Sequence, residues 1–458
     1  MSTPRGADLA AHALTFLPGV DDAQATVERE RSLMLRYARS APTQATEIDD
    51  TTVHLLALRD GHAGAATTNR TDDESLRATA QRAVAAAEAA ARAAGGPGDH
   101  PGLPGPPSGD YPTHDGYDAA TAAIDPAPGG DALRAAFAVA AETGLEAFGT
   151  WTSGAVETAI ASSRGILATD RVTDAYIKVM YRDARARTGQ VAQAAVAAGD
   201  LDAEAVARAA AAKVTPGEPA TLPPGAYPVV LDAAAVGGLL EMLAGLAFNG
   251  RAQAEGRGAL EGLIGTRVAA PSIQLTDAPR DARTWPRAFD FEGVPKAALP
   301  LIADGVAQGV VHDTRSAALA GDGARSTGHA LAPGGDPFGA VPTNLVLAGG
   351  DADGIDALAA PIERGIYVTR LWYLNVVHPR STLVTGTTRD GTFLIEDGRI
   401  TRPLRDVRIT DAILRLLDAT EALTAETRLV TDAEYYGRRF ATGVVAPALR
   451  AGELRITG

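Results

Sequence analysis

The chain has 458 residues, with 42 basic and 56 acidic side chains, a formal net charge of −14, 49 Gly, 28 Pro and no Cys. Its length accommodates two or three domains with proper cores, and its near-average apolar and charged content excludes wholesale disorder. The missing Cys excludes disulfides, thiolate-held zinc, iron–sulfur clusters and thiol nucleophiles; the acidic balance argues against a broad nucleic-acid surface, which needs clustered Lys and Arg.

Residues 1–19, MSTPRGADLAAHALTFLPG, lack an apolar run of secretory-signal length, so a cytoplasmic location is expected. ATVERERSLMLRYAR and TTVHLLALRDGHAGAATT alternate with period two, and Asp60-Gly61 predicts a tight turn that pairs His62 with Arg59 rather than with His54. TDDESLRATAQRAVAAAEAAARAAGG predicts one long helix, acidic at its start and stopped by Gly95. Residues 95–128 are dense in Gly and Pro and predict a linker or long surface loop. A helix is expected from Asp131 to about Thr143, then strands in GTWTSGAVETAIASS, GILATDRVT and AYIKVMYRD, then a helix over 202–213. PGEPATLPPGAYP marks the next boundary. The expected division is 1–115, 116–226 and 227–458.

The last unit opens with the strand PVVL and the apolar run AAAVGGLLEMLAGLAF. The window 229–248 contains Asp232 and Glu241 and many small residues, so it predicts a buried strand and helix rather than a membrane span. YVTRLWYLNVVHP and GTFLIEDGRITRPLRDVRIT predict strands, with a hairpin turn at Glu396-Asp397-Gly398, and a helix is expected near 411–423. The whole is α+β: antiparallel strands with a long helix, a middle α+β unit and a β-rich C-terminal unit.

Lysine occurs only at Lys178, Lys213 and Lys296, against 39 Arg. With the abundance of Ala, this fits GC-rich coding. No Lys follows a Gly, so no phosphate-cradling Gly-Lys-Ser/Thr loop is present. The eight His are too far apart for any two to share adjacent helical turns, which excludes HExxH. Asp351-Ala-Asp353-Gly354 lacks the remaining acids of a calcium loop and predicts a turn before a helix. Ser326-Thr327-Gly328-His329 defines no triad without a placed acid. Asp290 and Glu292 share a face if extended, as paired carboxylates or as binders of backbone or Arg.

In order, GHAGAATTNRTDDESLRATAQRAVAAAEAA, IASSRGI, FDFEGVP (289–295), STGHA (326–330), PTNLVLAGG (342–350), ERGIYVTR (363–370) and FLIEDGRITRPLRDVRIT resemble segments of the TldD/TldE (PmbA) family of bacterial peptidase subunits, also called modulators of DNA gyrase. The resemblance spans roughly residues 25–458. It implies that the TldD-type subunit carries an HExxxH metal motif on a helix after a strand, with a further Cys ligand near the C-terminus. In this chain the motif falls on Glu241-Met242-Leu243-Ala244-Gly245-Leu246, so Glu241 and Leu246 replace the His residues and Met242 the catalytic Glu. Met cannot take a proton from water and Leu has no lone pair for zinc. Residues five apart on a helix lie about 140° apart, so such a motif needs a widened turn. Freed of that need, Leu239, Leu240, Leu243, Leu246 and Phe248 are expected to serve as core.

What the resemblance implies is a non-catalytic, TldE-like subunit paired with a TldD-like metallopeptidase acting on small or unfolded peptides. No metal or cofactor is expected in this chain, with zinc in the partner, and no nucleic acid or membrane is expected as a partner. Ser326, Thr327, His329, Arg370, Asn375 and Arg380 are the candidate substrate-binding residues. Two other readings stand beside it: a self-sufficient hydrolase using Asp290, Glu292 or Glu241, and a homodimeric scaffold or regulator of another protein.

Overall fold

The computed structural model describes residues 6–321, 323–431 and 438–458. Its first unit comprises α1 (Gly6–Leu14), β1 (Asp22–Ala38), β2 (Ala41–Arg59), β3 (His62–Thr68), α2 (Asp73–Ala94), α3 (Ala127–Thr143), β4 (Glu146–Ser162), β5 (Leu167–Arg182), β6 (Thr188–Ala195) and α4 (Ala203–Ala212). The β2–β3 turn pairs Arg59 with His62, as the turn residues predict. Asp72 caps α2 by accepting from the Ser75 amide at 2.9 Å, and Gly95 ends it in the left-handed region at φ 67°. The α2 stripe Leu76, Ala80, Ala83 and Ala87 is buried at helical spacing. At Gly64 the helix comes so close that a Cβ would overlap the backbone of Ala83 and Ala87.

All six strands form one antiparallel sheet in the order β3-β2-β1-β4-β5-β6. The expected 115/116 boundary therefore runs through a sheet: β1 would keep an open edge without β4, which pairs with it from Gln24↔Ser162 to Tyr37↔Gly149. Period two then assigns the faces. Ala23, Ala25 and Val27 pack with α1 and α2, and Leu33 and Tyr37 with α3 and α4. The even positions face the second unit, which is why Gln24, Thr26, Glu28 and Ser32 are polar yet buried. Residues 95–120 are a strap rather than a free linker, because Leu103 N donates to Asp22, His114 meets Asp170, and Tyr111 donates to the Gly293 carbonyl.

The second unit comprises β7 (Gly225–Leu231), α5 (Ala233–Ala247), α6 (Gly250–Ala254), β8 (Leu275–Asp277), β9 (Leu299–Ala303), β10 (Val306–Ala307), α7 (Thr314–Ala320), β11 (Asn344–Leu347), α8 (Ile355–Ala359), β12 (Arg364–Val368), β13 (Leu371–His378), β14 (Leu383–Thr388), β15 (Thr392–Glu396), β16 (Arg399–Pro403), β17 (Arg408–Ala412), α9 (Ile413–Asp418), β18 (Thr420–Val430) and β19 (Gly443–Ile456). Its mixed sheet runs β10-β9-β8-β11-β19-β7-β12-β15-β16, with β17, β14 and β13 branching from β19 and β18 paired to it. The 226/227 boundary falls inside β7, whose pairing begins at Gly225.

The stretch 367–379 forms short strands as expected, the chain leaving the central path after β12 and starting the branch at β13. Two local expectations shift. The 411–423 helix shortens to α9 because Thr420 onward pairs with β19. GILATDRVT and AYIKVMYRD fuse into β5, held throughout by β4. Helix α5 buries Leu239, Leu240 and Leu243, with Phe248 just past its end, while Leu246 packs half-buried against that core.

A loop from 438 to 441 joins the units. Arg438 reaches Glu28 at 2.9 Å, and the buried Arg439 grips Asp174 with two hydrogen bonds of 2.8 and 2.6 Å while donating to Thr152 at 3.1 Å. Gly154 makes room, since a Cβ there would overlap the Arg439 guanidinium.

Candidate functional site

The even face of the first sheet and the α5, β12 and β13 side of the second unit enclose a cleft of about 970 Å³. Arg36, Lys178 and Gln190 line it from the sheet; Asp232, Glu241, Met242, Tyr367, Arg370 and Trp372 line it from the other wall. Two of the positions assigned to the metal motif, Glu241 and Met242, thus face the cleft, while Leu246 does not line it. A carboxylate, a thioether and an alkyl group do not fit zinc, which takes His, Cys, Asp or Glu ligands in tetrahedral array. Among the described residues, no three His, Asp or Glu side chains are placed to hold a metal ion.

The cleft is lined with charge. Among the described residues, Arg36, Lys178, Lys213, Arg370, Arg389 and Arg428 stand against Asp232, Glu241, Asp390 and Glu426, more cations than anions in a chain of net charge −14. Lys213 lies 3.9 Å from Asp232, which accepts a 3.0 Å hydrogen bond from Tyr367 Oη. Arg370 lies 3.2 Å from Asp390 and donates to Gln190 Oε1 at 2.7 Å. Glu426 accepts from Arg428 at 2.9 Å. Burial pushes the Lys213 amine below the usual lysine range against the pull of Asp232, and the nearby Arg428 and Arg370 add to that shift. Burial likewise raises the Tyr367 phenol, helped by Asp232.

Only Arg370 of the six candidate substrate residues lines this cleft. Asn375 is exposed on β13 and donates to the Tyr373 carbonyl at 2.8 Å; Arg380 is exposed and pairs with Glu261. Ser326 and Thr327 are half-buried and tied to the His312 backbone. His329 is fully buried, with Nε2 donating to Asp277 at 2.9 Å and Nδ1 2.9 Å from Thr327 Oγ1; Lys296 Nζ lies 3.6 Å from the same carboxylate. Burial by itself would raise the Asp277 carboxyl, but Lys296 and His329 outweigh it and hold it well below the usual carboxylate range. Burial lowers both Lys296 and His329. A buried ion cluster of this kind ties the STGHA loop to β8 and offers no surface to a substrate.

Asp290 and Glu292 are also buried rather than paired on a strand face, because FDFEG turns back on itself through the Phe289↔Pro295 bridge. Asp290 accepts amides from Glu292, Val294 and Ala330, each at 2.9 Å. Glu292 Oε2 accepts from Thr314 N at 2.9 Å and Thr314 Oγ1 at 2.6 Å, while Oε1 is buried without a partner. Burial first, and the Asp290 charge second, push Glu292 up to about 8. Neither carboxyl lines the cleft.

Motif reading missed Lys213, Asp232, Tyr367, Trp372, Arg389 and Arg428. The rarity of lysine was one available signal, since two of the three Lys line the cleft.

Comparison with known proteins adds relatives. The model of the PmbA/TldA metallopeptidase C-terminal domain matches residues 224–458, and that of PmbA/TldA metallopeptidase domain 1 matches residues 23–87. A metalloprotease TldD homolog from Haemophilus influenzae is 27% identical over 240 residues, 52% of this chain and 49% of that one, so the match spans about half the length of that curated relative. TldE from Thermococcus kodakarensis superposes with a TM-score of 0.83 at 20% identity, covering 98% of this chain and 99% of that one. A candidate modulator of a DNA gyrase from Thermotoga maritima gives 0.81 at 20% identity, covering 95% and 96%. At these identities the structural likeness is one of fold.

Proposed function

The chain belongs to the TldD/TldE (PmbA) metallopeptidase family, and on that premise we propose that it is a non-catalytic, TldE-like subunit that pairs with a zinc-bearing, TldD-like metallopeptidase acting on small or unfolded peptides. The observation that carries this is the face of α5: at the cleft it presents Glu241 and Met242, with Leu246 turned against the core. Among the described residues no imidazole lines the cleft beside them, and neither Met242 nor Leu246 can take a proton from water or ligate zinc. The role left to the cleft is to hold peptide.

β13 supports that role. Among the described residues it pairs only with β14, and Trp372, Tyr373 and Leu374 of this open edge line the cleft. An extended peptide adding there draws affinity from main-chain hydrogen bonds, which tolerate varied sequence.

The test compares metal content and peptidase activity of the purified chain alone and mixed with a TldD-like subunit. The expected result is no stoichiometric zinc and no cleavage by the chain alone, with cleavage on mixing. Chelator-sensitive cleavage by the chain alone overturns the proposal. A stable homodimer that ignores the partner favours the scaffold reading.

A further inference from the structure

Among the described residues of the cleft, Lys213 stands by Asp232, Arg370 by Asp390 and Arg428 by Glu426. Arg389 and Arg36 line the same space, and among the described residues neither has a carboxylate at ion-pair distance. Arg389 is exposed, but it is not loose. Its backbone amide donates to the Arg370 carbonyl at 3.2 Å, and its guanidinium sits 5.3 Å from the Trp372 ring centroid, with Arg370 at 4.9 Å from the same ring. A guanidinium held on an indole loses less freedom on binding, and its planar fork matches a carboxylate. Trp372 lies on the open β13 edge, where a bound peptide backbone would run.

We propose that the cleft selects peptides bearing carboxylates, received by Arg389 on the Trp372 ring and by Arg36 on the facing sheet. This rests on the reading of the cleft as a peptide holder and names the chemistry of what it holds. The carboxylate comes from Asp or Glu side chains or from a C-terminus, and the shared recognition is a charge-assisted, two-pronged contact. The overall charge of −14 disfavours polyanions such as nucleic acid, whose affinity grows with every phosphate neutralised. A short acidic segment needs only these local cations.

The intact chain reports binding through its own fluorescence. Trp151 and Trp285 are each 1% exposed, whereas Trp372 is 41% exposed, so ligand-dependent emission comes from Trp372 and is lost in Trp372→Phe. Three peptides of one length separate the sources: Glu side chains with an amidated terminus, Gln side chains with a free terminus, and Gln side chains with an amidated terminus. At low salt at least one acidic peptide is expected to bind about tenfold tighter than the neutral one, with the gap narrowing as salt rises. Arg389→Gln and Arg36→Gln are each expected to reduce the gap, and the double variant to abolish it. Whichever acidic peptide shows the preference identifies the source. Equal binding of all three peptides, or a preference that survives in the double variant, overturns the carboxylate proposal and leaves the peptide-holding reading intact. No binding of any peptide overturns both.

Discussion

Glu292 makes stability depend on pH in a way that can be worked out in advance. Its Oε2 takes both Thr314 donors, and its Oε1 is buried without a partner. The folded state holds this carboxyl at about 8 against an ordinary 4.5. Between those values the native chain keeps a proton that the unfolded chain has released, so stability falls as pH rises, by at most about 1.4 kcal/mol per unit. Across the window this is roughly 4 kcal/mol, which for a cooperative chain of 458 residues is about 4 °C in Tm. Glu292→Gln keeps the shape and the acceptor but never ionises. In thermal unfolding at constant ionic strength, the variant is expected to match wild type near pH 5 and to melt higher at pH 9. Taking the difference between the two proteins removes titrating groups that do not face Glu292, such as Lys296 and His329, whereas Asp290, whose charge acts on Glu292, titrates with it as one pair. Parallel Tm curves from pH 5 to 9, or a variant less stable than wild type at pH 9, refute the reasoning.

Arg439→Met removes the guanidinium that grips the buried Asp174 and is expected to cost about 3 to 5 kcal/mol; Asp174→Leu in the same chain restores much of it, as chemical denaturation would register. Gly64→Val suits a strand by propensity, yet its side chain meets the α2 backbone, so limited proteolysis should cut α2 far faster than in wild type. Two glycines of α5 should respond with opposite signs in melting experiments. Gly245→Ala enters open space and gains up to about 1 kcal/mol, whereas Gly237→Ala presses on Val430 and loses stability.

Sequence reading located elements whose signals are local. Asp72 and Gly95 bracket α2, Asp60-Gly61 sets the register of β2 with β3, and Asp397-Gly398 makes the predicted two-residue turn, both residues at positive φ. It failed where the deciding partner lies far along the chain. The alternation of β1 says which residues share a face, but not that Gln24 of its even face meets the Phe291 carbonyl and Glu28 meets Arg438. Hence the burial of polar positions such as Gln24 is not readable from the alternation. The cleft was half legible: the motif positions on α5 and Arg370 border it, because a strand followed by an apolar helix can be counted along the chain. Asn375, Ser326, Thr327 and His329 were judged by chemical type, and type does not reveal depth. His329 is the instructive case, since the same imidazole in a motif-like loop is locked between Asp277 and Thr327.

β19 neighbours β7, β11, β17 and β18 at the middle of the second sheet. During synthesis, Leu231 leaves the ribosome more than 200 residues before its partner Leu449, a wait of roughly 10 to 40 s at ordinary elongation rates. The first sheet, complete by Ala195, can close in that interval, while the second has no centre around which to assemble. Throughout the wait, Leu239, Leu240 and Leu243 of α5 lack the part of their core that β19 supplies through Val444, Ala446 and Leu449. A ribosome stalled before residue 443 therefore displays a folded first half tethered to an apolar helix, a form that chaperones and quality-control proteases recognise.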